Sequence, residues 1–207
     1  MGAPAARLIS VNPAADLGYV DLAFSVSGEP LPRDHSLALW DALVQAAPSL
    51  AEDDTLAVLP VRAASAGDGR LVLQRRSRLL MRLAESRVDP ALALCGRLIR
   101  IAGTPVLLGA AKTRPLAPHA TLYAHRVAAE RDDEAAFVRQ ATRDLDQLGV
   151  RAEFIVGRRT LARGPLGELA GFSLMLADLA PRQSLALQAS GLGAHRRLGF
   201  GIFVGHK

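Results

Sequence analysis

The sequence predicts an α+β fold built from two tandem ferredoxin-like (βαββαβ, RRM-like) halves with antiparallel sheets. Short stretches of alternating apolar and polar residues give the strands, and longer stripes at helical spacing give the helices. The order strand–helix–strands–helix–strand then runs through the chain about twice, with no detectable sequence repeat. The 207 residues, 50% of them hydrophobic and 22% charged, carry enough apolar mass for a real core.

The first half is expected over residues 1–114. Tyr19–Ser27 alternates, with Val20, Leu22, Phe24 and Val26 on one side, until Gly28, Pro30 and Pro32 break the strand. Asp34 is the expected N-cap of a helix whose stripe is Leu39, Trp40, Leu43, Val44 and Ala47, ending before Pro48. Leu56–Val61 reads as a second strand. A Gly-Asp-Gly turn at 67–69 leads into one broken or two short strands over Leu71–Leu83. Asp89 and Pro90 open a short helix through Cys95, and Leu98–Ile101 with Val106–Leu108 make a hairpin around Gly103.

Pro115 and Pro118 bracket the expected boundary, and the second half, residues 115–207, repeats the order. Ala120–Ala128 is a strand. Asp132–Leu148 is a helix with Phe137, Ala141, Leu145 and Leu148 on one stripe and Gly149 as its stop. Glu153–Val156 and Leu169–Leu176 are strands, Pro181–Ala189 is a helix with proline in its first turn, and Gly201–Val204 is the last strand.

Composition excludes several classes. No run approaches the roughly 18 to 20 apolar residues of a membrane helix, and Met1–Val11 shows no secretory signal. The expectation is a soluble, cytoplasmic protein with no membrane partner. One cysteine, Cys95, rules out an internal disulfide and a cysteine-cluster zinc site.

The net charge of +5 favours a polyanionic partner. Of 25 basic residues only Lys112 and Lys207 are lysines. Arginine grips phosphate with a rigid donor fork, although GC-rich coding also inflates Arg at the expense of Lys. The arginines cluster: Arg70–Arg100 holds eight against two acids, whereas 29–54 holds six acids and one arginine. Separate basic surfaces suit a phosphate-tracking protein, with a solvated strand face as the alternative. Arg75, Arg76 and Arg78, then Arg158 and Arg159, are the candidate contacts outside the loop described next.

Gly191-Leu192-Gly193-Ala194-His195-Arg196-Arg197-Leu198-Gly199-Phe200-Gly201 is the strongest local signal. Gly191, Gly193, Gly199 and Gly201 allow close backbone approach, and Arg196 and Arg197 add charge, which together could form an anion-binding concavity or a tight turn with surface arginines. A dinucleotide or NTP site does not fit: the order is helix, loop, strand, and no Walker lysine follows, so no nucleotide cofactor is expected.

This loop resembles the signature of the RAMP superfamily of CRISPR systems, and more closely the compact form of the endoribonuclease that cuts precursor CRISPR RNA within its repeats. Leu31-Pro32-Arg33-Asp34-His35-Ser36-Leu37-Ala38-Leu39-Trp40 falls where that family carries a histidine at the start of its first helix. Arg75–Leu83, Leu122-Tyr123-Ala124-His125, Gly171-Phe172-Ser173-Leu174 and Gly201–Lys207 agree in order along nearly the whole chain.

The resemblance implies CRISPR repeat RNA as partner, alongside other CRISPR complex subunits, and metal-independent cleavage without cofactor. The 2′-hydroxyl attacks the adjacent phosphate and leaves a 2′,3′-cyclic phosphate. Such chemistry needs a base near neutral pKa and donors for the crowded phosphorane. His35 is the expected base, since a helix N-terminus favours the neutral imidazole. His125 is the second candidate, with Tyr123 assisting; His119, Thr121, Tyr123 and His125 share a strand face that is either core or RNA platform. His195 either touches phosphate or is a solvated loop residue. Aromatics at 4% supply little base stacking. The competing reading is a non-catalytic RNA-binding RAMP subunit of an interference complex.

Overall fold

The computed structural model describes residues 18–66 and 68–206; Met1–Val11, Gly67 of the expected turn and Lys207 lie outside the described residues. The first half contributes β1 (Tyr19–Gly28), β2 (Leu31–Pro32), α1 (Ser36–Ala46), β3 (Ala57–Arg62), β4 (Ala64–Ser65), β5 (Arg70–Val72), β6 (Arg78–Ala84), α2 (Val88–Leu92), β7 (Leu98–Ile101) and β8 (Thr104–Pro115). The second contributes β9 (Leu122–Ala128), α3 (Glu134–Gln147), β10 (Glu153–Gly164), β11 (Gly167–Ala177), α4 (Pro181–Ser190) and β12 (Phe203–Gly205).

Two antiparallel sheets result, ordered β3-β6-β1-β8-β7 and β10-β11-β9-β12. With the edge strand β7 set aside, each reads second–third–first–fourth in its own βαββαβ unit, which is the ferredoxin-like order. A small sheet, β2-β5-β4, flanks the first.

In the first core Leu22, Phe24 and Val26 of β1 pack on Leu39 and Leu43 of α1. In the second, Phe137, Ala141 and Leu145 of α3 pack on Leu174 and Leu176 of β11. Asp133 caps α3 by accepting the Ala136 N–H at 2.6 Å, a contact worth about 1 kcal/mol. Among the described residues no helix is long and apolar enough to cross a membrane.

Four local expectations need correction. Asp34 does not cap α1: His35 occupies the cap position without a side-chain cap bond, and the Asp34 carboxylate instead accepts the Arg163 N–H of β10. Leu148 leaves the α3 stripe and is 42% exposed, because the helix has ended at Gln147 and Gly149 turns the chain at φ +65°. α2 stops at Leu92 rather than running to Cys95, with Gly96 at φ +76° reversing the chain towards β7. β10 runs eight residues beyond its expected end at Val156; a register shift between Val156 and Arg159 breaks the alternation by which the pairing would have been read.

One buried side chain bolts the two sheets together. Arg82 of β6, 1% exposed, pairs with Asp21 of β1 and donates Nη1 to the carbonyls of Gln188 in α4 (3.0 Å) and Phe203 in β12 (2.7 Å). Beside it Ala57 and Leu59 of β3 pack against Ile202.

Candidate active site

Where the sheets diverge they leave a cleft of about 580 Å³. One wall comes from β3 and the start of α1, the other from β9 and β10.

His35 is buried in the α1 side of this cleft at 1% exposure. Its Nε2 accepts the Val61 N–H of β3 at 3.0 Å, and its Nδ1 lies 2.9 Å from the Pro32 carbonyl. A backbone N–H only donates, so Nε2 holds the lone pair and Nδ1 carries the proton. Burial pulls the pKa below the ordinary value, opposed by the Pro32 and Arg33 carbonyls and aided by the Arg126 charge. The imidazole is neutral, as a helix start suggests, yet its lone pair is engaged by the protein.

His125 differs. It sits exposed on β9 and, among the described residues, makes no hydrogen bond; its ring stands edge-on to Tyr123 with centroids 4.9 Å apart. Desolvation, then the Arg62 and Arg126 charges, push its pKa below the ordinary imidazole value. Leu122 and Ala124 point into the core, so the Tyr123–His125 face is the outer one. His206 lies beside Tyr123 at 5.7 Å, and His119 sits against Gly205, where an added Cβ would meet the ring at 2.5 Å.

Besides Arg33, which donates to Ser65 Oγ at 2.6 Å, two cleft arginines were absent from the sequence-derived candidates. Arg62 ends β3, exposed and, among the described residues, without a hydrogen bond or ion pair; across the sheet it pairs in register with Arg78. Its sole signal in sequence was a charge closing an apolar strand. Arg126 is the other; it looked like a polar position in β9 but its guanidinium turns inward.

The remaining candidates divide. Arg158 lines the cleft, exposed and unbonded among the described residues. Arg159 is paired with Asp132 outside the cleft lining. Arg75 and Arg76 are exposed on the turn before β6, and Arg78 donates to the Arg75 and Ser77 carbonyls at 2.8 and 2.7 Å. None of these three lines the cleft.

The glycine-rich loop is a packed joint. Arg196 turns inward, giving Nη2 to the Ala189 carbonyl at the end of α4 (2.7 Å) and leaving Nε buried without a partner among the described residues. Arg197 lies over the Trp40 ring at 5.1 Å and donates to the Asp54 carboxylate and the Ala51 and Asp53 carbonyls at 2.9–3.0 Å. Gly199, at φ +86°, abuts β3: a Cβ there would lie 2.5 Å from Pro60 Cδ. At Gly201 a Cβ would fall 2.1 Å from the Leu192 carbonyl oxygen, and Gly191 is closed by the Gly201 carbonyl. Gly193 and His195 stay exposed. Among the described residues no group of three or more His, Cys, Asp or Glu is arranged to hold a metal ion.

Three consecutive residues at the mouth of α1 grip three strands. Asp34 holds β10 through Arg163, His35 holds β3 through Val61, and Ser36 accepts Arg126 of β9 at 2.5 Å.

Comparison with known proteins agrees with this architecture. The CRISPR-associated endonuclease Cas6 of Myxococcus xanthus (strain DK1622) is 36% identical over 187 residues, covering 90% of this chain and 81% of that protein. A solved structure described as a Cas6-related gene product from Pyrococcus furiosus superposes with TM-score 0.65 at 12% identity, over 90% of this chain and 98% of that one. Another, described as a RAMP protein binding different RNA substrates, gives 0.60 at 11% identity over 89% and 98%. At those identities the structures speak for the fold alone: tandem ferredoxin-like halves. The family model described as "Cas6 Crispr" matches residues 20–207, and the chain belongs to the Cas6 family.

Proposed function

We propose that this chain is an endoribonuclease that cuts precursor CRISPR RNA within its repeats, and that the cleft between the sheets is where it cuts. Family membership and the 36%-identical endonuclease support the activity. The observation that carries the site is an imidazole, His125, that makes no hydrogen bond among the described residues and shares one cleft with the guanidinium groups of Arg62 and Arg158, likewise unpaired among them.

The reaction is internal transesterification. The neutral His125 imidazole takes the proton of the 2′-hydroxyl as it attacks the adjacent phosphate in line, and a 2′,3′-cyclic phosphate results. Arg62 and Arg158 hydrogen-bond the phosphorane oxygens, where charge accumulates. The P–O5′ bond breaks as the O2′–P bond forms, and the departing 5′-oxygen, hydrogen-bonded by Tyr123 edge-on to His125, takes a proton from solvent to leave as a 5′-hydroxyl. Imidazole, guanidinium and phenol cover these roles, and the reaction so drawn needs no metal ion. The histidine-bearing half is residues 1–114 for His35, and 115–207 carries His125 and the glycine-rich loop. Arg75, Arg76 and Arg78 extend the RNA contact beyond the cleft.

A second reading keeps His35 as the base. It lines the same cleft and stands at the helix start where the family resemblance puts a histidine. That role requires the Val61 N–H to release Nε2 when RNA binds.

Repeat RNA incubated with purified protein in EDTA tests the activity. A discrete cut, lost when the upstream 2′-hydroxyl is replaced by hydrogen, is expected. Bound but intact RNA would make the chain a non-catalytic RNA-binding subunit.

A further inference from the structure

Arg126 is a half-buried charge without a carboxylate partner among the described residues. It is enclosed by α1, the glycine-rich loop and β9, donating to Ser36 Oγ (2.5 Å), the Leu198 carbonyl (2.5 Å) and the Gly199 carbonyl (3.3 Å). Its guanidinium carbon lies 4.5 Å from the centroid of the Phe200 ring. Every one of these partners is neutral, and among the described residues it has no carboxylate within ion-pair distance. A buried charge ordinarily recruits a counter-ion, because desolvation is costly. Three neutral oxygens and a ring face satisfy the hydrogen-bonding need without cancelling the charge.

Asp34 offsets part of that charge from a distance, and the location gives the remainder a consequence. Arg126 follows His125 in β9, and it lines the same cleft as His125 and His35. Its hydrogen bonds connect Ser36, directly after His35, to Leu198 and Gly199, whose neighbour across the joint is Pro60. One guanidinium therefore touches the supports of both cleft walls.

We propose that Arg126 is a positioning residue that bolts the glycine-rich loop to the mouth of α1 and supplies the fixed positive charge holding the cleft's imidazoles in their proton-accepting form. This rests on the reading of the cleft as the cutting site. Other charged and titratable groups facing His125 are Arg62 from β3, Tyr123 on β9, Arg158 from β10, and Arg33, Asp34 and His35 at the start of α1. Asp34 is the one acid in this set, and its carboxylate is engaged with the Arg163 N–H. The Arg126 charge lowers the pKa of both imidazoles, behind desolvation and the Arg62 charge at His125, and behind desolvation and the opposing Pro32 and Arg33 carbonyls at His35.

The test is a pH titration of the imidazole NMR signals of the full chain, alongside the pH–rate profile for repeat RNA. Arg126→Met should raise the His125 midpoint and carry the acid limb of the cleavage profile upward with it. Arg126→Lys, which keeps the charge, should leave both near wild type. An unmoved His125 midpoint in Arg126→Met, or a shift as large in Arg126→Lys, overturns the proposal. Should Arg126→Met not fold, Arg126→Gln removes the charge while keeping a hydrogen-bonding side chain, and an unmoved His125 midpoint there also overturns it. A midpoint that moves while the acid limb stays put supports the charge effect of Arg126 and refutes His125 as the base.

Discussion

Val61 donates its backbone N–H to Nε2 of His35 across 3.0 Å, so a strand of the first sheet occupies the lone pair of the histidine that opens α1. This bond separates two imidazoles that sequence cannot separate: one engaged on both ring nitrogens, the other open to solvent. Their variants should therefore fail in different ways.

His125→Ala should lower single-turnover cleavage of repeat RNA by about 10²–10⁴-fold with RNA affinity within a few-fold of wild type. His35→Gln should lower stability against urea while the folded fraction still cuts. Full activity in His125→Ala together with inactive, well-folded His35→Gln would move the base to His35.

Stability should fall with acidity in a window set by His35. Its folded pKa is depressed below the ordinary 6.5, so the unfolded chain binds the proton first. His35's contribution is fully present above about pH 6.5 and is lost as pH falls towards its lowered folded value. Urea titrations between pH 8 and 5 should show a steeper acid loss for wild type than for His35→Gln. Parallel curves would show that the ring is not buried neutral.

RNA affinity should respond to salt through the open arginines rather than the loop arginines. Arg62→Ala and Arg158→Ala should each reduce the slope of log K against log salt by about 1. Arg196→Ala with Arg197→Ala should lower stability, since their donors close α4 and hold the 51–54 segment, but should leave that slope near wild type. A flattened slope in the loop double variant would return phosphate contact to the loop.

Asp21→Asn should be the most damaging single-atom exchange. It leaves Arg82 buried with two carbonyls and no carboxylate, and removing one partner of such a pair costs about 3 kcal/mol. Equilibrium urea unfolding measures it; a loss below about 1 kcal/mol would show that solvent reaches Arg82.

The architecture was legible wherever one periodicity held. Val20, Leu22, Phe24 and Val26 are all buried as the alternation of β1 requires, and Phe137, Ala141 and Leu145 fill one face of α3. Legibility ended where a bulge interrupted the period, as between Val156 and Arg159 in β10. The cleft was half legible. Tyr123, His125, His35 and Arg158 are together in it, but Arg196 and Arg197 are not phosphate forks held open. Spacing puts an arginine in a loop; which way its guanidinium faces depends on where the fold brings carbonyls, Ala189 at the end of α4 for Arg196 and Ala51 and Asp53, 146 and 144 positions away, for Arg197. Arg126 was invisible for the same reason, its partners lying 72, 73 and 90 positions away.

The triple grip of Asp34, His35 and Ser36 makes this short turn intolerant of any change in length. Each residue reaches a different strand from a fixed rung, so inserting or deleting one amino acid would slide all three out of phase at once. Gaps should therefore accumulate elsewhere, such as at the exposed bend between β10 and β11 where Leu166 touches little.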